Sequence, residues 1–216
     1  SEVGIIPAYF MGINIYKLRS KTLYSLKGKD KIFLKHNTIK LANLINSKQF
    51  SSLIFLNYSP HLEKFLFWCQ QLIAESLGKE SKGFLPVISN APKDHHSLLQ
   101  LYLDGPKDKF FNIFSNEKET KEIININKTI GIKSYLNRKK LTIVKKAQKQ
   151  ALIKSFKKKK ISFREFRVKT ASEEVLGELF SYFILETIIV GKLLNINPFD
   201  QPAVEQVKVH TKEILS

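Results

Sequence analysis

Apolar residues along the chain switch between helical and strand spacing. Val3, Ile6, Phe10 and Ile13 recur three to four apart, which predicts a helix over residues 2–18 with these side chains as its buried stripe. Residues 19–34 are basic and irregular, and a helix is expected near 37–47. Ser52–Asn57 (Ser-Leu-Ile-Phe-Leu-Asn) is a short apolar run without alternation, the pattern of a strand buried on both faces. Helical spacing returns over 60–78 with Leu62, Phe65, Leu66, Cys69, Leu72 and Ile73, and Gly78 reads as its stop. Further strands are expected at 84–88 and 110–114. A third, at 161–168, alternates apolar with polar residues and so reads as more exposed. Helices are expected at 95–104, 139–158 and 172–195, and a terminal one from about Asp200. In 139–158, Leu141, Val144, Ala147, Ala151 and Leu152 are expected to face inward.

Strands separated by helices argue for an α/β fold with a mostly parallel sheet covered on both faces, a three-layer αβα sandwich with a helical C-terminal tail. A chain of 216 residues with 43% hydrophobic residues and 16 phenylalanines can bury one substantial core, so residues 1–216 read as a single domain. Ligands of such sheets sit beyond the carboxyl ends of the strands.

Several classes fall away. Segment 172–195 is apolar, but Glu178, Glu186 and Lys192 interrupt it, so it reads as a core or dimer helix and no membrane partner is expected. The one cysteine, Cys69, excludes an internal disulfide and reads as a core thiol, which suits a reducing cytoplasm. The net charge of +17 includes a basic block, Lys157 to Lys160 with Arg164 and Arg167 following. The rest of the charge is scattered and no nucleic-acid-recognition motif accompanies it, so no specific nucleic-acid partner is expected. The surplus suits attraction of a small dianion.

Three segments carry candidate chemistry. In the first, 197–208, Pro202 suits the first turn of a helix, Asp200 is placed to cap it, and Gln201 and Lys208 lie about two turns apart. An amide and a mobile cation near a helix start suit an oxygen-rich anion, although a plain capped helix with a solvated lysine has the same pattern. In the second, 70–79, Gln71 and Glu75 are four apart and share a helix face. A partly desolvated Glu75 would suit a general base; the alternative is a surface pair with Lys79. In the third, 93–101, two adjacent histidines, His95 and His96, open a helical run behind Asp94, which could cap it or orient an imidazole. Solvated histidines are the plain alternative. A metal site has no support in ligand spacing.

Taken together and in this order, the segments resemble the C-terminal half of the glucose-6-phosphate isomerase family. The glutamate motif is similar to the run from Ala74 to Lys79, the histidine motif to Asp94 through Leu101, and the C-terminal signature to Ile196 through Lys208. The resemblance implies a sugar-isomerase (SIS-type, flavodoxin-like) domain that interconverts glucose 6-phosphate and fructose 6-phosphate through an enediolate, in glycolysis and gluconeogenesis. It implies Glu75 as the base moving a proton between C1 and C2, and His96, the residue directly before Ser97, as the ring-opening group. Lys208 would be a ring-opening or phosphate-neighbouring cation, and Gln71 and Gln201 substrate contacts. No cofactor or metal is implied, because the proton moves within one substrate.

The resemblance also implies a homodimer whose active site is shared between subunits, the histidine coming from the neighbour. Ala203 and Val207 stand where the family usually has glycine, and His95 where it often has glutamine. The family's glycine-arginine site and its sugar-phosphate-binding loop precede the matched region. The chain is therefore expected to be an excised C-terminal domain without the N-terminal domain, and to have little activity alone. A non-catalytic, sugar-phosphate-binding regulatory domain of the same fold is the alternative reading.

Overall fold

A computed structural model describes residues 2–116, 122–124 and 135–216. The described elements, in chain order, are α1 (Glu2–Phe10), α2 (Ile15–Ser20), α3 (Gly28–Asn46), β1 (Ser52–Asn57), α4 (Glu63–Leu77), β2 (Leu85–Asn90), α5 (Asp94–Ser97), α6 (Leu99–Asp104), β3 (Lys109–Asn116), α7 (Leu141–Lys158), β4 (Phe163–Val168), α8 (Glu173–Leu193) and α9 (Pro202–Leu215). The class is α/β, as the spacing predicts: the four strands form one parallel sheet in the order β2-β1-β3-β4. The chain divides into two compact units, one of Ser1–Ser52, Phe65–Pro86 and Ser172–Ser216, the other of Leu53–Lys64 and Val87–Ala171.

The second unit holds most of the sheet. β1 begins at Ser52, and Leu53, Ile54, Phe55 and Leu56 are all buried, so the strand is covered on both faces, as a non-alternating apolar run requires. β3 and β4 pair in register from Phe111↔Phe163 to Asn116↔Val168. Ile54, Leu56, Tyr58, Phe111 and Ile113 share a core with Leu152 and Phe156 of α7. Within it Phe111 lies 4.7 Å from Phe156 and 5.0 Å from Tyr102, ring to ring. Such pairs add about 0.5–1.5 kcal/mol each beyond burial.

The first unit is helical. Phe65 and Trp68 of α4 pack edge-on against Phe180 of α8, with Phe183 beside Phe65. α2 crosses α8 at Gly177, where a Cβ would lie 1.7 Å from the Leu18 carbonyl oxygen. Only a residue without a side chain fits there. Cys69 is buried, as expected of a core thiol.

Several local expectations need correction. The single helix over 2–18 is two helices, because Gly12 takes φ +84° after α1 and the Asn14 side chain caps α2 by accepting from the Lys17 amide at 3.0 Å. Gly12 and Asn14 are the stop and start signals that the apolar stripe concealed. That stripe is not buried either: Val3 is 83% and Phe10 81% exposed. The stretch read as irregular to residue 34 already contains the start of α3 at Gly28. Leu98 divides the helix expected over 95–104 into α5 and α6. On α7, Ala147, Ala151 and Leu141 face solvent, and the buried set is Thr142, Leu152 and Phe156. With lysine on much of the surface, small alanines and one leucine do not define a face.

Candidate active site

In the first unit, α4 delivers Glu75 two residues before its end at Leu77, and the chain then turns sharply. Glu80 and Ser81 take φ +53° and +57°, and Gly83 takes φ +98°. A left-handed non-glycine residue costs roughly 1–2 kcal/mol, so this turn persists only because its surroundings fix it. Two lysines do so. Lys82 Nζ donates to the Leu194 carbonyl at the end of α8 and to Glu80 Oε2, both at 3.0 Å. Lys79 Nζ donates to the Asn197 carbonyl oxygen at 2.5 Å and to Asp200 Oδ1 at 2.9 Å.

The turn of Asn197–Pro198–Phe199–Asp200 closes on itself as well. Asn197 Nδ2 donates to Asp200 Oδ2 at 2.8 Å, and the Phe199 amide donates to Asn197 Oδ1. The hydrogen bond from Lys79, opposed by burial and joined by the hydrogen bond from Asn197, holds the Asp200 carboxyl below its ordinary range. Asp200 therefore does not cap α9, as the sequence suggested. Gln201 occupies the cap position without a side-chain cap bond, and Pro202 opens the helix as expected. The plain pairing of Glu75 with Lys79 is not formed, since Lys79 reaches 121 residues along the chain to Asp200 instead.

Gln201 is thereby free to turn to Glu75. Its Nε2 donates to Glu75 Oε2 at 2.8 Å, while Gln71 Nε2 donates to Oε1 at 2.9 Å. Both oxygens of a half-buried carboxylate are thus held by neutral amides from two segments far apart in sequence. A cleft of about 620 Å³ opens here, lined by Glu75, Lys79, Lys82, Asp200 and Gln201 among others. That is room for a phosphorylated sugar. Lys208 is placed otherwise: it is 66% exposed on α9 and donates to Glu205 Oε1 at 2.6 Å.

In the second unit, polar side chains gather at the carboxyl ends of β1 and β2, where parallel sheets bind ligands. Asn57 closes β1 and Asn90 closes β2. Asn57 Nδ2 donates to Asn90 Oδ1 at 3.1 Å, and Asn90 Nδ2 donates to Glu63 Oε1 at 2.7 Å. Asp94 accepts from Ser89 Oγ, the Asn90 amide and Ser97 Oγ, so it neither caps α5 nor holds an imidazole. His95 Nε2 instead meets the Tyr58 hydroxyl at 2.7 Å. His96 is exposed, and its ring has no hydrogen bond among the described residues. Sequence reasoning missed Asn57, Tyr58 and Asn90. The available signal was an asparagine ending each of two apolar strand runs.

Burial, helped by His96 and opposed by Asp94, lowers the His95 pKa; burial also raises that of Tyr58. Both directions favour the uncharged forms, and the Tyr58 hydroxyl and His95 Nε2 share one hydrogen bond. Because the folded state disfavours protonated His95, the unfolded chain binds more protons as pH falls below about 6.5. Stability should accordingly fall between about pH 7 and 5, and His95→Leu should flatten that part of the profile. Denaturant midpoints at several pH values check this; an unchanged slope in the variant refutes it.

Among the described residues no group of three or more His, Cys, Asp or Glu is arranged to hold a metal ion, and no helix is long and apolar enough to cross a membrane.

No protein-family model matches the chain. Curated proteins do. It is 32% identical over 222 residues to the glucose-6-phosphate isomerase of Methanocaldococcus jannaschii, covering 96% of this chain and 52% of that protein. It is also 32% identical to the glucose-6-phosphate isomerase of Mycoplasmopsis pulmonis, covering 100% of this chain and 52% of that protein. Among solved structures, a hypothetical protein of Thermus thermophilus superposes with a TM-score of 0.87 at 26% identity, over 100% of this chain and 54% of that one. A glucose-6-phosphate isomerase of Chlamydia trachomatis shares the fold, with a TM-score of 0.61 at 18% identity over 77% of this chain and 35% of that one. The chain spans about half the length of the curated relatives it matches. With relatives of that one name aligned along nearly its whole length, the chain belongs to the glucose-6-phosphate isomerase family.

Proposed function

We propose that this chain is the C-terminal half of an enzyme that interconverts glucose 6-phosphate and fructose 6-phosphate. The observation that carries the proposal is the Glu75 carboxylate, positioned by Gln71 and Gln201 at the edge of a sugar-sized cleft. In the reaction the open-chain sugar displaces the amides of Gln71 and Gln201 from Glu75. The carboxylate then takes the proton from C2 and returns it to C1, and the charge of the enediolate between the two steps is met by amide dipoles and cations. The released amides of Gln71 and Gln201 bind substrate oxygens. His96, exposed and unengaged, moves the ring-opening proton, and in a homodimer it serves the neighbouring subunit's cleft. Lys208 exchanges Glu205 for the substrate.

The N-terminal half of the enzyme supplies the phosphate site, so the present chain alone has little turnover. The experiment is a coupled assay of fructose 6-phosphate conversion by the full-length natural protein containing this sequence, beside its Glu75→Gln variant. Equal rates in the two would overturn the proposal.

A regulatory domain that binds sugar phosphate without chemistry is favoured by one observation, the pairing of Lys208 with Glu205. Ligand binding by the full-length protein without any turnover would select it.

A further inference from the structure

The turn before α9 is held by a side chain from a distant segment, and the site depends on where that turn lies. Lys79 is the link. Its side chain is only 12% exposed, and its ammonium spends two of three N–H groups on Asn197 and Asp200. The residue after Asp200 is Gln201, whose amide reaches Glu75. Asp200 in turn uses its second oxygen to accept from Asn197 Nδ2, so lysine and turn are joined by hydrogen bonds, and the backbone carries the path on from Asp200 to Gln201.

We infer that Lys79 is a positioning residue for the site proposed above: it fixes the 197–200 turn and so holds the Gln201 amide against the Glu75 carboxylate. The inference rests on that reading of Glu75 as the base. A lysine kept for substrate phosphate would offer its charge to the cleft, whereas this one is neutralised by Asp200 and sheltered from solvent. Its removal would leave the Asn197 carbonyl and an Asp200 oxygen without their donor, and the turn would relax away from α4. The strained backbone at Glu80 and Ser81 fits this assignment, since it aims Lys79 and Lys82 toward the end of α8 and the turn beyond it.

The test is a mutant cycle in the full-length protein. Lys79→Met and Gln201→Ala should each lower kcat/KM by about 10- to 30-fold, mainly through kcat, and the double variant should fall no further than the weaker single variant. Lys79→Arg, which can still reach Asp200, should recover most of the loss. Multiplying losses in the double variant, or a rise in KM alone after Lys79→Met, would overturn the inference, the latter by marking a direct substrate contact.

A second readout needs no turnover. The Gln201 side-chain amide protons should exchange faster in Lys79→Met than in the unsubstituted chain, while the fold is retained by circular dichroism. Unchanged exchange would also overturn the inference. The two readings fail separately. A silent Glu75→Gln removes the catalytic assignment and leaves the amide exchange to decide the role of Lys79. A dead Glu75→Gln beside a fully active Lys79→Met removes the positioning role alone.

Discussion

Glu75→Gln should lower kcat of the full-length protein by at least about 10³-fold, equivalent to about 4 kcal/mol of barrier. KM should move by only a few-fold. The substitution preserves shape, so Gln71 and Gln201 still frame the position, but one of them now faces an NH₂ group where it had an acceptor. That local mismatch weakens one hydrogen bond and leaves the cleft in place. Loss of the base is a different matter, because a neutral amide cannot take a proton from carbon at any accessible pH. Steady-state rates in both directions, with competitive binding of a sugar-phosphate analogue as control, separate the two effects. Retained turnover would remove Glu75 from the chemistry. Loss of both turnover and binding would show that the carboxylate holds the site together rather than acting in it.

Gly177→Ala should lower the melting temperature of this chain by about 4–8 °C. Two effects oppose each other. Alanine gains about 1 kcal/mol over glycine within a helix. Its Cβ would sit 1.7 Å from the Leu18 carbonyl oxygen and 2.8 Å from the Leu18 carbonyl carbon. Backbone atoms cannot rotate out of the way, so α2 must lift from α8, at a cost of about 3 kcal/mol. The net loss of about 2 kcal/mol converts to the stated shift at about 2–4 °C per kcal/mol for a chain of this size. Gly4→Ala is the control: it also lies within a helix, nothing approaches its Cβ within 4 Å, and it should be neutral or mildly stabilising. Thermal melts of both variants check the pair. An unchanged Gly177→Ala melt would mean that α2 packs more loosely than described.

What could be read from the sequence was whatever the chain spells out locally. β1 is found to the residue because a strand buried on both faces must be apolar throughout. Pro202 opens α9 for an equally local reason, since its missing N–H costs nothing there. The break between α1 and α2 was available in Gly12 and Asn14, yet an apolar stripe at helical spacing outweighed them. Asp200 had the right type and position for a cap, and lost that role to a lysine 121 residues away. No periodicity encodes such a partner. The same holds for Tyr58 and His95, 37 residues apart, which meet because β1 and β2 are neighbours in the sheet. Among the site candidates, the spacing of Gln71 and Glu75 already put them on one face, whereas the contact of Gln201 with Glu75 required the fold.

The terminal helix has a mechanical consequence. None of the residues of α9 is buried, and the polar ties to the rest of the first unit that have been described end at Gln201. Lys208 therefore rides on a cantilever, six residues and about 9 Å out from Pro202. Fourteen residues without tertiary cover make a marginal helix in water, so the free end frays before the root does. The proline ring locks φ at that root and leaves ψ as the remaining freedom. A tilt of about 10° there would swing the Lys208 backbone by about 1.5 Å. The reach of this ammonium group thus depends on the backbone torsion at a proline as well as on the helix that carries it.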